Sequence, residues 1–189
     1  GQITPGDADR FCVRALEGQK LVIQVHARRL VPFLADAVPG WFQATLTLLD
    51  SEGREIAYAD DYHFDPDPVL YVEIPKTGIY KIEIRDSIYR GRDDFIYRIS
   101  VRQGPFIKSL FTLGGKSGKE TVASVKGWNL NGAKLPLDTA KGSHPVRSAA
   151  VDRDGDISNP VAYAVDELEE VVENEPNDTR EESQHVSLP

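Results

Sequence analysis

Short runs in which apolar and polar residues alternate dominate the first hundred positions of the chain. In one of them Leu21, Ile23 and Val25 fall on one side of an extended backbone, and Gln24 and His26 fall on the other. Such alternation is typical of a strand with one buried face. The strands predicted in this way span residues 20–27, 44–49, 55–58, 69–74, 78–85 and 95–101. No convincing amphipathic helix interrupts them, so the pattern predicts an antiparallel β-sandwich or jelly roll.

The alternation pauses at Gln103-Gly104-Pro105 and then restarts as a second, smaller β set. The predicted strands of this set span residues 106–113, 121–128, 145–151 and 160–165, with a glycine-rich turn at 114–118. After them an acidic run with turn-forming residues ends the regular pattern. We therefore predict three parts: a β-sandwich at residues 1–103, a smaller β module at 104–166, and an acidic linker at 167–189 that leads to a further module.

The distribution of charge excludes one class of partner. The chain has 189 residues and a net charge of −8, and nine acidic residues stand beside a single base, Arg180, after Val165. The remaining residues contain equal numbers of acids and bases, so the folded part has no broad basic face. Nucleic acid is therefore not an expected partner.

No apolar run reaches the length of roughly 18 residues that a membrane helix requires, so we expect no membrane insertion. The chain opens at Gly1 without a methionine. We expect it to be a fragment of a larger protein, whose signal peptide would lie upstream.

The sequence shows no catalytic motif. It has no Gly-x-Ser-x-Gly elbow, phosphate-binding loop or His-Glu-x-x-His pair, and its four histidines have no spacing that indicates zinc. The single cysteine, Cys12, has no internal disulfide partner. We interpret it as a small buried or half-buried strand residue, and we expect the chain not to be an enzyme.

The first module resembles the bacterial pre-peptidase C-terminal domain family, a jelly-roll-like β-sandwich appended to secreted peptidases and repeated in bacterial surface proteins. Seven segments carry this resemblance over about residues 1 to 102: Gly6-Asp7-Ala8-Asp9-Arg10-Phe11, Gly18-Gln19-Lys20-Leu21, His26-Ala27-Arg28-Arg29-Leu30, Leu48-Leu49-Asp50-Ser51-Glu52-Gly53, Asp60-Asp61, Thr77-Gly78-Ile79-Tyr80 and Tyr97-Arg98-Ile99-Ser100-Val101. The resemblance implies an accessory module of a secreted or cell-surface bacterial protein, or of a periplasmic one.

The second module resembles the immunoglobulin-like, plexin and transcription factor (IPT/TIG) type. The resemblance rests on Pro105, Ile107, Leu110, Leu113-Gly114-Gly115, Gly118 and Gly127-Trp128-Asn129-Leu130. It implies a smaller immunoglobulin-like β-sandwich after the jelly-roll-like one.

The tail contains the residues that make calcium a candidate ligand. Calcium binds six to eight oxygen atoms, and in an extended segment Glu173, Glu175 and Asn177 share one face with Asp178 beside them. Residues 173–179 also resemble the Glu-x-Glu-Pro-Asn-Asp-Thr segment that precedes pre-peptidase C-terminal domains, including the collagen-binding modules of clostridial collagenases, and supplies their calcium ligands.

The other half of a calcium site would come from Asp7 and Asp9, two residues apart before a strand. The alternative interpretation is that both are turn residues and that the tail is a solvated linker. Two further acidic groups admit calcium, but we favour their interpretation as turns. They are Asp152-Arg153-Asp154-Gly155-Asp156, read as a hairpin turn, and Asp60-Asp61 with Asp65 and Asp67, read as a proline-interrupted loop.

Two aromatic clusters fall in predicted loops, Trp41-Phe42 and Tyr62-His63-Phe64. Aromatic rings in loops either plug the ends of a sandwich or stack on sugars and extended peptides. Exposure of the rings would distinguish the two.

The leading hypothesis is a non-catalytic accessory module pair that provides spacing, stability or adhesion, with calcium stiffening the junctions to neighbouring modules of the same chain. The rival hypothesis is a recognition module for a polysaccharide or an extracellular protein, attached to a secreted hydrolase. An enzyme comes last, because it would require a cleft with convergent titratable groups.

Overall fold

The structure, a computed structural model, describes residues 1–32, 40–142 and 144–187. In that part of the chain fifteen β-strands form and no helix does, so the all-β fold class is confirmed. The described residues accordingly contain no helix of the length and apolarity that would cross a membrane. The chain divides into two units, Gly1–Gln103 and Gly104–Pro189.

The first unit is an antiparallel sandwich of two sheets. Its strands are β1 (Ala8–Ala15), β2 (Lys20–His26), β3 (Ala44–Leu49), β4 (Glu55–Ala59), β5 (Val69–Glu73), β6 (Gly78–Asp86) and β7 (Arg98–Arg102). One sheet has the strand order β1-β6-β3-β4 and the other β5-β2-β7. Their inner faces share one apolar core, to which Ile23, Leu46 and Ile84 contribute fully buried side chains.

Strands β2 to β6 follow the predicted alternation closely, whereas the last predicted strand differs. The run predicted at 95–101 forms regular strand from Arg98 onward. Residues 95–97 pair instead with the first three residues, since Ile3 N donates to Phe95 O (2.8 Å) and Tyr97 N donates to Gly1 O (3.0 Å). Local alternation cannot reveal which distant segment provides the hydrogen-bonding partner.

The prediction that Cys12 is buried or half-buried was wrong, because this residue is exposed. Strand β1 is an edge strand whose inward side ends in the half-buried Val13 and the buried Ala15. Cys12 points to the opposite side, as the alternation indicates. At the edge of this sheet the opposite side is solvent.

The second unit contains two three-stranded sheets and a small hairpin. Its strands are β8 (Phe106–Phe111), β9 (Gly114–Lys116), β10 (Thr121–Trp128), β11 (Lys134–Leu137), β12 (Val146–Ala149), β13 (Asp152–Arg153), β14 (Asp156–Ile157) and β15 (Val161–Asp166). The sheets have the orders β11-β10-β8 and β12-β15-β9, and β13 pairs with β14 in a two-stranded sheet. Ile107, Ala123 and Tyr163 are buried in a core separate from that of the first unit.

One segment predicted as a turn is a strand. Residues 114–116 form β9, which pairs in parallel with β15. A Cβ atom on Gly114 would lie 2.3 Å from the carbonyl oxygen of Ala164, and one on Gly115 would lie 2.5 Å from Thr121 Oγ1. The glycines therefore allow two backbones to approach closely. In the sequence, glycines with this role look the same as the glycines of a flexible turn.

We predict that Gly114→Ala destabilises the second unit by about 1–3 kcal/mol, because the added methyl group must displace the backbone of β15. Urea unfolding followed by circular dichroism measures the loss. Gly78→Ala is the control, since the nearest atom to its new Cβ is 4.0 Å away. Equal stability of the two variants would contradict the close approach of β9 to β15.

Candidate functional site

Asp7 and Asp9 flank the start of β1. Asp7 follows a turn in which its N–H donates to Thr4 O, and its carboxylate accepts hydrogen bonds from Ala8 N (2.8 Å) and Thr4 Oγ1 (3.3 Å). Asp9 accepts a hydrogen bond from the hydroxyl of Tyr97. Burial and this contact raise the pKa of Tyr97, so the phenol stays protonated and the carboxylate of Asp9 is held in place.

The tail gathers three of its four predicted ligands. Asn177 donates from Nδ2 to Glu173 Oε1 and from its backbone N to Glu175 Oε2, both at 3.0 Å. Gln184 closes the loop around them by accepting from Asn174 N at 2.8 Å. No contact of Asp178 with these side chains is seen among the described residues. The tail is thus locally ordered around two carboxylates and an amide.

A salt bridge fixes the beginning of the tail to the body of the second unit. Glu169 pairs with Lys116 (2.9 Å) and Lys119 (3.0 Å). Hydrogen bonds from Lys116 and Lys119 hold the pKa of Glu169 below its usual range. These ion pairs are exposed, so each contributes little stability by itself. Together they place the first residues of the acidic segment beside Lys116 and Lys119.

Neither half of the predicted calcium site is complete by itself. Within the described residues no group of three or more histidine, cysteine, aspartate or glutamate side chains has the arrangement of a metal site. Asp7 and Asp9 belong to the first unit and the tail to the second. Each half supplies oxygen ligands of the kind calcium prefers, but fewer than the six that it needs. Calcium binding by these residues stays a prediction.

The acidic loop between β4 and β5 has a structural role that sequence reasoning missed. Asp67 is buried and accepts the backbone N–H groups of residues that follow β2. The donors are Ala27 (3.0 Å), Arg28 (2.6 Å) and Arg29 (3.0 Å). Three hydrogen bonds replace the water that a buried carboxylate loses. The local sequence sign of this structural role is the position of Asp67 between two prolines.

Asp86 is a second buried carboxylate that the sequence did not single out. It accepts two hydrogen bonds at 3.0 Å from the guanidinium of Arg90 and others from the backbone of Gln43, Ile88 and Arg90. Burial by itself would raise the pKa of Asp86, but the hydrogen bonds from Arg90 and from these N–H groups outweigh it and lower the pKa. Arg90 also donates to the carbonyl of Trp41 at 2.9 Å, so the pair fixes the segment that enters β3.

The acidic segment at 152–156 forms the turn of a hairpin, as one of its two interpretations predicted. Strands β13 and β14 pair around Asp154 and Gly155, whose φ angles are 54° and 88°. Two consecutive positive φ values are typical of a type I′ turn, for which Asp-Gly is a preferred sequence. Asp152 accepts the N–H of Gly155 and so stabilises the turn.

The two aromatic clusters differ in how far their phenylalanine rings are buried. Phe42 is buried and stacks on Phe95 with ring centroids 5.2 Å apart, so it plugs the end of the sandwich. Phe64 is fully exposed at the tip of its loop. Between them Trp41 lies half-buried under the guanidinium of Arg28, 4.6 Å from the ring centroid. Trp41, Arg28 and Phe64 border a surface depression of ≈ 370 Å³.

Comparison with known proteins shows a similarity to a bacterial protease. A probable subtilase-type serine protease of Deinococcus radiodurans is 29% identical to the chain over 100 residues. The match covers 48% of this chain and 13% of the protease, so the chain corresponds to only a small part of that relative. No protein-family model matches the chain.

We predict that Asp86→Asn lowers the free energy of unfolding at pH 7 by about 1–3 kcal/mol, because it removes a charged acceptor from several buried hydrogen bonds. The folded-state pKa of Asp86 is lowered, so its contribution is full above the ordinary carboxyl pKa and is lost as the pH falls through the folded value. The difference between wild type and variant should therefore shrink in acid.

Urea unfolding of both proteins between pH 7 and pH 2.5 tests this prediction. Glu52→Gln, which removes an exposed partner of Arg54, is the control and should change stability little at any pH. A difference for Asp86→Asn that grew as the pH fell would contradict the sign of the pKa change.

Proposed function

We propose that the chain is a non-catalytic accessory region of a secreted or cell-surface bacterial protein. The observation that carries this proposal is the similarity to a small part of a subtilase-type protease. The resemblance of the first unit to pre-peptidase C-terminal domains, which are appended to secreted peptidases, supports the same assignment. The IPT/TIG-type identity of the second unit is part of the proposal.

In this proposal the region serves spacing, stability or adhesion, and its partners are neighbouring modules of the same chain. Two β units with separate cores are suited to this role, because each withstands separation from its neighbour without losing its own packing. The salt bridges of Glu169 support it further, since they limit how freely the chain leaves the second unit.

Calcium binds at the junctions between successive modules in this proposal. Glu173, Glu175, Asn177 and Asp178 supply ligands to the module that follows the tail. Asp7 and Asp9 supply the equivalent half to a segment that precedes the first unit. The local order that Asn177 and Gln184 impose on the tail supports this assignment, because preorganised ligands lose less entropy when they bind a cation.

We predict that calcium raises the unfolding temperature of a chain extended through the module after the tail, because a ligand that binds only the folded state stabilises it. Differential scanning calorimetry with excess calcium chloride and with EDTA measures the shift. The shift should be lost in the double variant Glu173→Gln and Glu175→Gln.

The matched control is Glu167→Gln with Glu170→Gln, which removes the same charge from the same tail and should preserve the calcium shift. Equal loss in both double variants would indicate that only the overall negative charge matters. No shift in the extended chain would contradict the junction site.

We also predict that the chain by itself has no hydrolytic activity, since it lacks a recognisable nucleophile, base or metal motif. Fluorogenic peptides and nitrophenyl glycosides provide the assay, with the protein at micromolar concentration. A non-catalytic role would be contradicted by a hydrolysis rate above that of buffer, if the activity copurified with the chain and disappeared on a single substitution.

A second candidate function is recognition of a polysaccharide or an extracellular protein. The exposure of Phe64 favours it, because a ring that plugs the sandwich would be buried as Phe42 is.

A further inference from the structure

The loop that carries Phe64 is a tight turn with a costly backbone conformation. Tyr62 N donates to Asp65 O at 2.8 Å and Asp65 N donates to Tyr62 O at 3.0 Å, which leaves His63 and Phe64 as the two central residues. His63 has a φ of 57°, at a turn position that glycine usually occupies. A left-handed residue other than glycine is strained and persists only where surrounding contacts hold it.

Those contacts lie directly below the turn. The Tyr62 and His63 rings meet edge to face at 4.4 Å. Asp65 accepts a hydrogen bond from Arg29 (2.6 Å) and another from the backbone of Asp67 (3.0 Å), and Asp67 is the buried carboxylate that anchors the end of β2. The backbone that carries Phe64 is therefore held in place. A loop that is ordered before binding loses little conformational freedom when a ligand contacts it.

The depression beside Phe64 combines aromatic and polar groups. Trp41 forms one wall, and the side chains of Arg28, Gln43 and Asp61 add a guanidinium, an amide and a carboxylate. Gln43 donates from Nε2 to the carbonyl of Asp60 at 3.2 Å, which orients its amide. The volume of ≈ 370 Å³ is at the small end of the range for small-molecule sites.

The charges in the depression determine the class of ligand. Arg28 and Asp61 carry opposite charges, and Asp65 is already paired with Arg29, so there is no net field that would favour a polyanion or a polycation. An extended peptide is usually held along a strand edge or in a groove lined by several aromatic rings, whereas this site is small and rich in polar groups. A pyranose ring fits the aromatic and the polar groups of the depression. Its C–H face stacks on an aromatic ring, and its adjacent hydroxyl groups pair with planar guanidinium, amide and carboxylate groups.

We propose that this depression, with Phe64 as the stacking ring and Trp41 as its wall, binds a hexose unit of a neutral polysaccharide. The inference rests on the recognition function and not on the calcium junctions. Arg28, Gln43 and Asp61 hydrogen-bond the hydroxyl groups of the sugar. Because the ligand is uncharged, binding is insensitive to salt.

The test is a titration of the whole chain with cellohexaose, laminarihexaose and chitohexaose. Binding is measured by isothermal titration calorimetry and by tryptophan emission. We expect at least one of these sugars to bind and to change the emission, since Trp41 lines the depression. Phe64→Ala should weaken that binding roughly tenfold or more, as loss of an aromatic anchor does. It should leave the unfolding temperature unchanged, because the ring is fully exposed.

Ile88→Ala is the matched control, because Ile88 is an exposed apolar residue elsewhere on the same unit. It should bind sugar as the wild type does. A sodium chloride series provides a second control, in which the affinity should stay constant.

Three results would overturn the proposal. The first is no binding of any of the three sugars at millimolar concentration, and the second is equal binding by Phe64→Ala and wild type. The third is Phe64-dependent binding of gelatin without binding of sugar, which would assign the site to a protein ligand. Loss of sugar binding on Phe64→Ala in the extended chain, with its calcium shift intact, would support this site as separate from the junction role.

Discussion

A carboxylate that is buried must be surrounded by hydrogen-bond donors, and this constraint arranges the loops of the first unit. Asp67 collects three backbone N–H groups after β2. Asp86 collects the N–H of Gln43 before β3, two N–H groups after β6 and the guanidinium of Arg90. The apolar core stabilises the two sheets, but it acts equally on many loop conformations. The carboxylates select one of these conformations, because an unmatched donor or acceptor in either cluster is costly.

The same constraint positions the proposed sugar site. Asp67 fixes the backbone of Arg28, and the Asp86–Arg90 pair fixes Trp41 and Gln43. The turn of Phe64 rests on Asp65, which is bonded to the backbone of Asp67. The site is therefore built on loops that hydrogen bonds to buried carboxylates hold in place, on a scaffold of packed sheets. The calcium proposal depends on other residues, which are Asp7 and Asp9 of the first unit and the acidic tail of the second. The exposed carboxylates of the tail leave room for a cation.

The sequence pattern was most informative where a residue's surroundings are local. Alternation located β2, β3 and β10 to within one residue, since a period of two follows from the pleat itself. The Asp154-Gly155 turn was recognised because its left-handed backbone demands particular residues at adjacent positions. The pattern failed for Cys12, whose exposure depends on the position of β1 at the edge of a sheet. It also failed for Gly114, which lies against the carbonyl of Ala164, fifty residues away.

For the candidate sites, the sequence by itself determined the chemistry that is present and the tertiary structure decided its use. Composition and spacing supplied the acidic tail, the paired aspartates and the loop aromatics, because ligand type and strand period are local properties. Nothing local distinguished Phe42, which is buried against Phe95, from Phe64, which is exposed, or Asp67, which anchors a loop, from Asp61, which faces the depression. Those roles depend on which distant backbone groups each side chain meets, and only the packing of the two sheets brings those groups together.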